Sequence, residues 1–412
     1  MKAKPITQLS PAYYEQFACI GSDCEDTCCA GWTVPIDVKT YHKYKNVEDE
    51  ELSLLMDSYV IKKEPSESSQ LQYATVKLDS CGSCPFLNED KLCKIQLKIG
   101  EDYLSHTCHT YPRVTNQFDF VMERSLSVSC PEAARLAILN KNGIDFNQEM
   151  VEEDKRNQPT LQVETKGFKD HRRHLWEMRV LAIQTLQDRR YSIEDRLIML
   201  GVFLQNIVAQ ADQHGHKIVP GFIEQCKGIL DRGDLKDALG EVDKNCEFQI
   251  RLVLPLIVER IKYGVSSVRY AQCVEDCFNG IGYNGSNEAM ELEQRYVQAK
   301  SQYYDSFIPE HEYVLENYLV NYMFRTMFPL NHHEDVMDVY LKMVVHFMLV
   351  KLHMVGMSAH YKQFFSEEHL VKLIQSFAKS YEHNTQIFKV ITNALKNNDI
   401  LDISVLSVII KN

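Results

Sequence analysis

The sequence predicts a mainly α protein in which a small cysteine-rich α+β module, residues 1–140, precedes a helical domain, residues 168–412. Two observations carry this expectation. Nine of the 13 cysteines fall early: Cys19, Cys24, Cys28, Cys29, Cys81, Cys84, Cys93, Cys108 and Cys130. From about residue 168 the apolar residues recur at helical spacing, whereas upstream they alternate as in short strands. Residues 141–167 are polar and weakly periodic, and read as a connecting segment. With 412 residues, 45% of them hydrophobic, the chain can bury one large core or two medium ones without covalent staples.

Within the first module, residues 33–37 (TVPID), 73–79 (YATVKLD) and 118–129 (FDFVMERSLSVS) suit strands. Residues 37–47 and 131–140 are predicted helical, the second with Pro131 in its first turn. The helical part begins at 171–190, apolar at Leu175, Met178, Leu181 and Leu186. Ser192 is a good N-cap for the next helix, with Glu194 and Asp195 facing the positive end of its dipole. Further helices are expected near 219–230, 246–263, 287–304, 311–327, 335–356 and 367–395, with no βαβ alternation and no tandem repeat. The apolar run 339–357 is interrupted by Lys342, His346, Lys351 and His353. Lys342, His346 and His353 share one face at helical spacing, so an amphipathic core helix is expected there and no membrane span.

The first twenty residues lack the continuous apolar stretch of a signal peptide, and a cytoplasmic, reducing location is expected. The formal net charge of −12 argues against nucleic acid and suits a basic protein partner.

The clustered cysteines carry the chemical signal. A chain this long has no need of a disulfide framework, and scattered burial does not explain the clustering. Thiolates are preferred ligands of zinc and of iron–sulfur clusters. Cys81 and Cys84 form a CxxC that can aim both sulfurs at one ion, with Cys93 and Cys108 following. Adjacent Cys28 and Cys29 serve one centre only in a tight turn, and otherwise face two. Spacing does not separate zinc from iron–sulfur, nor one centre from two. Cys226, Cys246, Cys273 and Cys277 read as core residues.

Other motifs are weaker. Gly280-x-Gly282-x-x-Gly285 follows a helix, not the strand that a dinucleotide fold requires, and reads as an interhelical turn. The HEYVL stretch, 311–315, has Leu315 where a zinc protease needs its second histidine. NHHED (331–335) and HRRH (171–174) read as polar helix starts or solvated faces. Arg113, close behind Cys108, could anchor a cofactor carboxylate near a metal or form a structural salt bridge.

The run Cys24-x3-Cys28-Cys29, followed by CPFLNEDKLCKI and LSHTCHTYPR, resembles the CxxCxxCC group of zinc- or iron-chelating proteins. With CIGSDCEDTCCAGWTVPID and SCPEAARL added, it resembles more specifically the flagellin lysine-N-methylase (FliB) family over residues 13–135. Residues 316–330 (ENYLVNYMFRTMFPL) add a less specific likeness. The resemblance implies a bacterial enzyme that methylates surface lysines of flagellin from S-adenosylmethionine. It also implies a cysteine-bound iron–sulfur cluster of the 4Fe–4S kind, with zinc as the alternative. The ligands it implies are Cys19, Cys24, Cys28, Cys29, Cys84, Cys93, Cys108 and Cys130. The radical S-adenosylmethionine motif CxxxCxxC is not met, because Gly31 stands where its third cysteine belongs. A non-enzymatic metal-binding adaptor or redox sensor is the alternative function.

Overall fold

The computed structural model describes the chain except residues 1–4, 81, 153–157, 248, 266, 287, 331–334 and 383–401. It is mainly helical, with two small sheets near the N-terminal side.

The larger sheet is built from β1 (Pro5–Pro11), β5 (Arg113–Phe118), β6 (Val121–Leu126), β7 (Phe146–Glu152) and β8 (Gln162–Val163), in the order β7-β1-β6-β5-β8. β1 runs parallel to β6, with Gln8 opposite Met122, and antiparallel to β7. The smaller, antiparallel sheet has the order β2-β4-β3, from β2 (Val34–Ile36), β3 (Val60–Lys62) and β4 (Ala74–Val76).

The expected strands at 33–37 and 73–79 are β2 and β4, and residues 118–129 hold the end of β5 and all of β6. β1 and β7 were not expected. The segment read as a connection contributes β7 and β8, and β7 escapes notice because its outward residues Asn147, Gln148 and Glu149 are polar.

Residues 34–104 enclose a core of their own, with Val34, Ile36, Leu52, Phe86 and Ile95 at its centre. Against it lie α1 (Val38–Tyr44), α2 (Glu50–Tyr59), α3 (Lys94–Ile99) and α4 (His106–Thr110). Asp37 fixes two of these helices at once: it caps α1 by accepting from the Thr40 amide at 2.9 Å, and it accepts from the His106 amide at the start of α4 at 2.9 Å.

The large core is shared by β6, by α5 (Pro131–Ile138) and by the helical body. That body comprises α6 (Leu175–Leu186), α7 (Ile193–His214), α8 (Val219–Arg232), α9 (Lys236–Gly240), α10 (Leu254–Lys262), α11 (Val268–Ile281), α12 (Ala289–Ala299), α13 (Asp305–Arg325), α14 (Val336–Tyr361) and α15 (Glu367–Tyr381), with a last helix at Ile403–Ile410. Ser192 caps α7 as expected, accepting from the Asp195 amide. The expected helix at 367–395 is described only as far as residue 382.

α14 departs from its expected character. It is long and apolar enough to cross a membrane by composition, yet 94% of its apolar window is buried inside the protein. It is not amphipathic: His346, Lys351 and His353 are all buried. Each finds a polar partner inside. Tyr318 Oη lies 2.8 Å from His346 Nδ1, Lys351 Nζ donates to Glu194 at 2.7 Å, and His353 Nδ1 bonds the Leu349 carbonyl at 2.8 Å.

The sheet is joined to the helices by buried polar contacts as well as apolar ones. The side chains of Asn317 and Asn321 on α13 donate to the carbonyls of Asn140 and Leu126, and Tyr13 donates to Asn321. Glu123 on β6 pairs with Arg179 on α6, both side chains at most 3% exposed. Much of the 316–330 stretch therefore serves as a docking face.

Candidate metal centre

The twelve described cysteines are all free; Cys81 lies outside the described residues. Five of them, Cys28, Cys29, Cys84, Cys93 and Cys108, line one cavity of about 90 Å³. Its remaining wall is apolar and aromatic, including Trp32, Tyr44, Phe86 and Tyr111.

Local backbone pairing aims these thiols. The Cys84 amide donates to the Cys29 carbonyl at 2.8 Å, and the Gly31 amide to the Gly82 carbonyl at 2.9 Å, so the two cysteine turns lie side by side. Leu87 and Cys93 form an isolated bridge, and Lys94 N donates to the Phe86 carbonyl at 2.7 Å, which folds Cys93 back beside Cys84. Cys93 ends this turn at the head of α3, and Cys108 sits in the first turn of α4 beneath the Ser105 cap.

Cys28 Sγ and Cys29 Sγ are 3.8 Å apart. The hydrogen bond from Cys29 is the largest influence lowering the Cys28 thiol, to about 7, and the same bond raises Cys29. Burial raises the others, Cys84 to about 11 and Cys108 to about 12, with repulsion from neighbouring thiolates adding to it. Cys28 and Cys108 are exposed, and both border the cavity.

Cys19, Cys24 and Cys130 do not line the cavity. Cys130 feels the charge of both Cys24 and Cys28, and Cys24 that of Cys19, so these three lie near Cys28 but outside the cavity. Among the described residues no three His, Cys, Asp or Glu side chains are arranged to hold one metal ion as they stand. The sulfurs border a space and do not close on a point. The donor set nonetheless fits a thiophilic group. Five reduced thiols face one cavity, and the raised proton affinities of Cys29, Cys84, Cys93 and Cys108 are what a metal would overcome by displacing protons.

Arg113 begins β5, is exposed, and stacks its guanidinium over the Phe17 ring at 4.9 Å. It is not among the residues lining the thiol cavity. Beside that cavity, sharing Leu104 with it, opens a cleft of about 430 Å³ lined by Asp37, Lys39, Lys43, Glu101, His106 and His109 among others. Sequence reasoning missed this cleft, whose charged residues come from three short helical segments and carry no motif.

The remaining motifs have structural explanations. Gly280 packs on the backbone of Gly356, where α11 crosses α14, and Gly282 ends α11 in the left-handed conformation. Cys273 and Cys277 are core residues of α11. His311 stacks on Phe307, and Glu312 pairs with Arg196. Arg172 of the HRRH turn pairs with Asp170 at 2.6 Å. Of NHHED, only Asp335 is described, as the cap of α14.

Comparison with known proteins adds the relationship. The sequence model of a family described as "FliB lysine N-methylase C-terminal domain" matches residues 179–409. The chain is 32% identical over 149 residues to a lysine-N-methylase of Salmonella typhimurium, an alignment that covers 36% of each protein. It is 37% identical over 130 residues to the flagellar biosynthetic protein FliU of Salmonella muenchen, covering 31% of this chain and 75% of that one. The alignment thus spans about a third of the length of the Salmonella typhimurium relative. No solved structure matches. The matched domain begins after the last of the eight ligand candidates and takes in nearly the whole helical body. On that match, the chain belongs to the FliB lysine N-methylase family.

Proposed function

We propose that this protein is an S-adenosylmethionine-dependent protein-lysine N-methyltransferase acting on flagellin, with an iron–sulfur cluster in the thiol cavity. Family membership carries the methyltransferase reading, since relatives are named lysine-N-methylase and flagellar biosynthetic protein. The five-thiol cavity supports the metal part. A single zinc ion needs four ligands at about 2.3 Å from one point. Sulfurs that border a space suit a multi-atom cluster better. Free thiols at the twelve described cysteines suit a reducing cytoplasm.

S-adenosylmethionine, when bound, supplies a methyl group already activated on a sulfonium. What remains for the protein is to hold the acceptor and take its proton, because a lysine side chain has an ordinary pKa of ~10.4. The net charge of −12 favours encounter with a lysine-bearing surface.

Mass spectrometry of flagellin co-expressed with this chain is the test, with methyl-lysine expected. Protein purified without oxygen should carry iron and acid-labile sulfide, lost in Cys84→Ala and Cys108→Ala. Unmodified flagellin beside a metal-loaded chain would favour the metal-binding adaptor instead.

A further inference from the structure

The turn that carries Cys28 and Cys29 has no regular secondary structure of its own. Within it, Thr27 N donates to Asp26 at 2.8 Å, Cys29 N donates to Thr27 Oγ1 at 3.1 Å, and Trp32 Nε1 donates to the Cys28 carbonyl at 2.7 Å. Besides its pairing with the Cys84 turn, it is held from far along the chain, by α15. Lys379 Nζ donates to both carboxylate oxygens of Asp26 at 3.0 Å and to the Thr27 carbonyl at 2.8 Å. One helical turn earlier, Gln375 Nε2 donates to Asp26 at 2.8 Å and to the Ser129 carbonyl, next to Cys130, at 2.9 Å. Arg269 Nε on α11 donates to the Gln375 side-chain oxygen Oε1 at 2.9 Å, and Arg269 approaches Glu25 at 3.9 Å.

These groups are buried. Gln375 is 0% exposed, and the side chains of Lys379 and Asp26 are 8% and 15% exposed. The same helix buries Leu370, Leu373, Ile374 and Phe377. Burying an amide and an ammonium among such residues costs stability unless every polar atom is bonded, and leucine or methionine would pack there without that requirement. Stability of the helix does not call for this pair. The thiol turn does: Asp26 and Thr27 immediately precede the two adjacent cysteines, and Lys379 brings positive charge to the edge of a site that is anionic when it binds a metal.

We propose that Lys379 and Gln375 are positioning residues for the metal centre, holding from α15 the Asp26–Thr27 turn that aims Cys28 and Cys29 into the cavity. This rests on the reading that the cavity holds an iron–sulfur cluster or zinc. Partners that orient metal ligands are worth about 10- to 100-fold in metal affinity when removed.

The test uses the full chain purified without oxygen, as wild type, Lys379→Met, Lys379→Arg and Asp26→Asn. Metal loss to a chelator should be about 10- to 100-fold faster in Lys379→Met and close to wild type in Lys379→Arg. If the metal is an iron–sulfur cluster, its midpoint potential should fall in Lys379→Met, where a positive charge is lost. It should rise in Asp26→Asn, where a negative charge is lost. A role confined to folding gives no such opposite shifts, and thermal melting reports folding separately. A loaded wild type whose Lys379→Met variant keeps both release rate and potential overturns the proposal alone. A wild-type chain that binds no metal overturns the metal reading and the proposal with it.

Discussion

Acidification should destabilise this protein through two histidines in the middle of α14. His346 and His353 are 2% and 0% exposed, and burial holds their pKa values down to about 3 and about 4. Around His346 stand Arg325 and Lys342, whose positive charges add to the effect, with Tyr318 on Nδ1. Tyr318 also reaches Glu382, itself paired with Arg325. His353 packs against the Tyr270 ring at 5.4 Å. Both rings therefore stay neutral in the fold, while the unfolded chain protonates them below a pKa of ~6.5. The unfolded state binds more protons, so stability is present above that value and is lost as pH falls towards the folded pKa. Between pH 7 and pH 5 the loss comes to about 2 kcal/mol per histidine, about 4 kcal/mol for the pair. Urea unfolding followed by circular dichroism at both pH values measures it. The double variant His346→Gln/His353→Gln should lose about 4 kcal/mol less than wild type over this interval. If both proteins weaken equally on acidification, the buried-neutral assignment is wrong.

Two further outcomes concern packing. A Cβ added at Gly280 would stand 1.8 Å from the Gly356 carbonyl oxygen, so Gly280→Ala should cost at least about 3 kcal/mol in the same melts. Gly285→Ala, whose Cβ meets nothing within 4 Å, should cost only about 1 kcal/mol through its positive φ. Glu123→Ala strands Arg179 in a buried site and should cost about 3–5 kcal/mol, whereas Glu123→Leu with Arg179→Met should recover most of that loss; no recovery would refute the desolvation argument.

The legibility of this chain followed the range of its interactions. Cys84, Cys93 and Cys108 could be grouped from spacing because the turns that gather them are local. Helix positions were readable for the same reason. β1 was not, because its buried face includes Gln8 and Ser10 and its pairing partners lie more than a hundred residues away. Placing His346 and His353 on the polar face of an amphipathic helix failed because Tyr318 and the Leu349 carbonyl each bond one ring nitrogen inside. Lys379 carried no signal, since its partner Asp26 is 353 residues distant. GxGxxG spacing misleads by the same logic: Gly280 answers to Gly356, which no pattern near it reveals.

The path of β1 also determines how this protein can be divided. The chain enters the larger sheet at Pro5–Pro11, leaves to build the thiol-bearing region, and re-enters at Arg113 to form β5 and then β6, the direct neighbour of β1. The metal candidate is thus a long excursion between two strands of one sheet, anchored at both ends like a handle. Trimming the first dozen residues would remove an interior strand, and stopping the chain at residue 140 would strip β7 from its flank. A cut between Ala12 and Pro112 would leave the sheet whole but part the thiol turn from Lys379 and Gln375 on α15, so the handle is not free-standing.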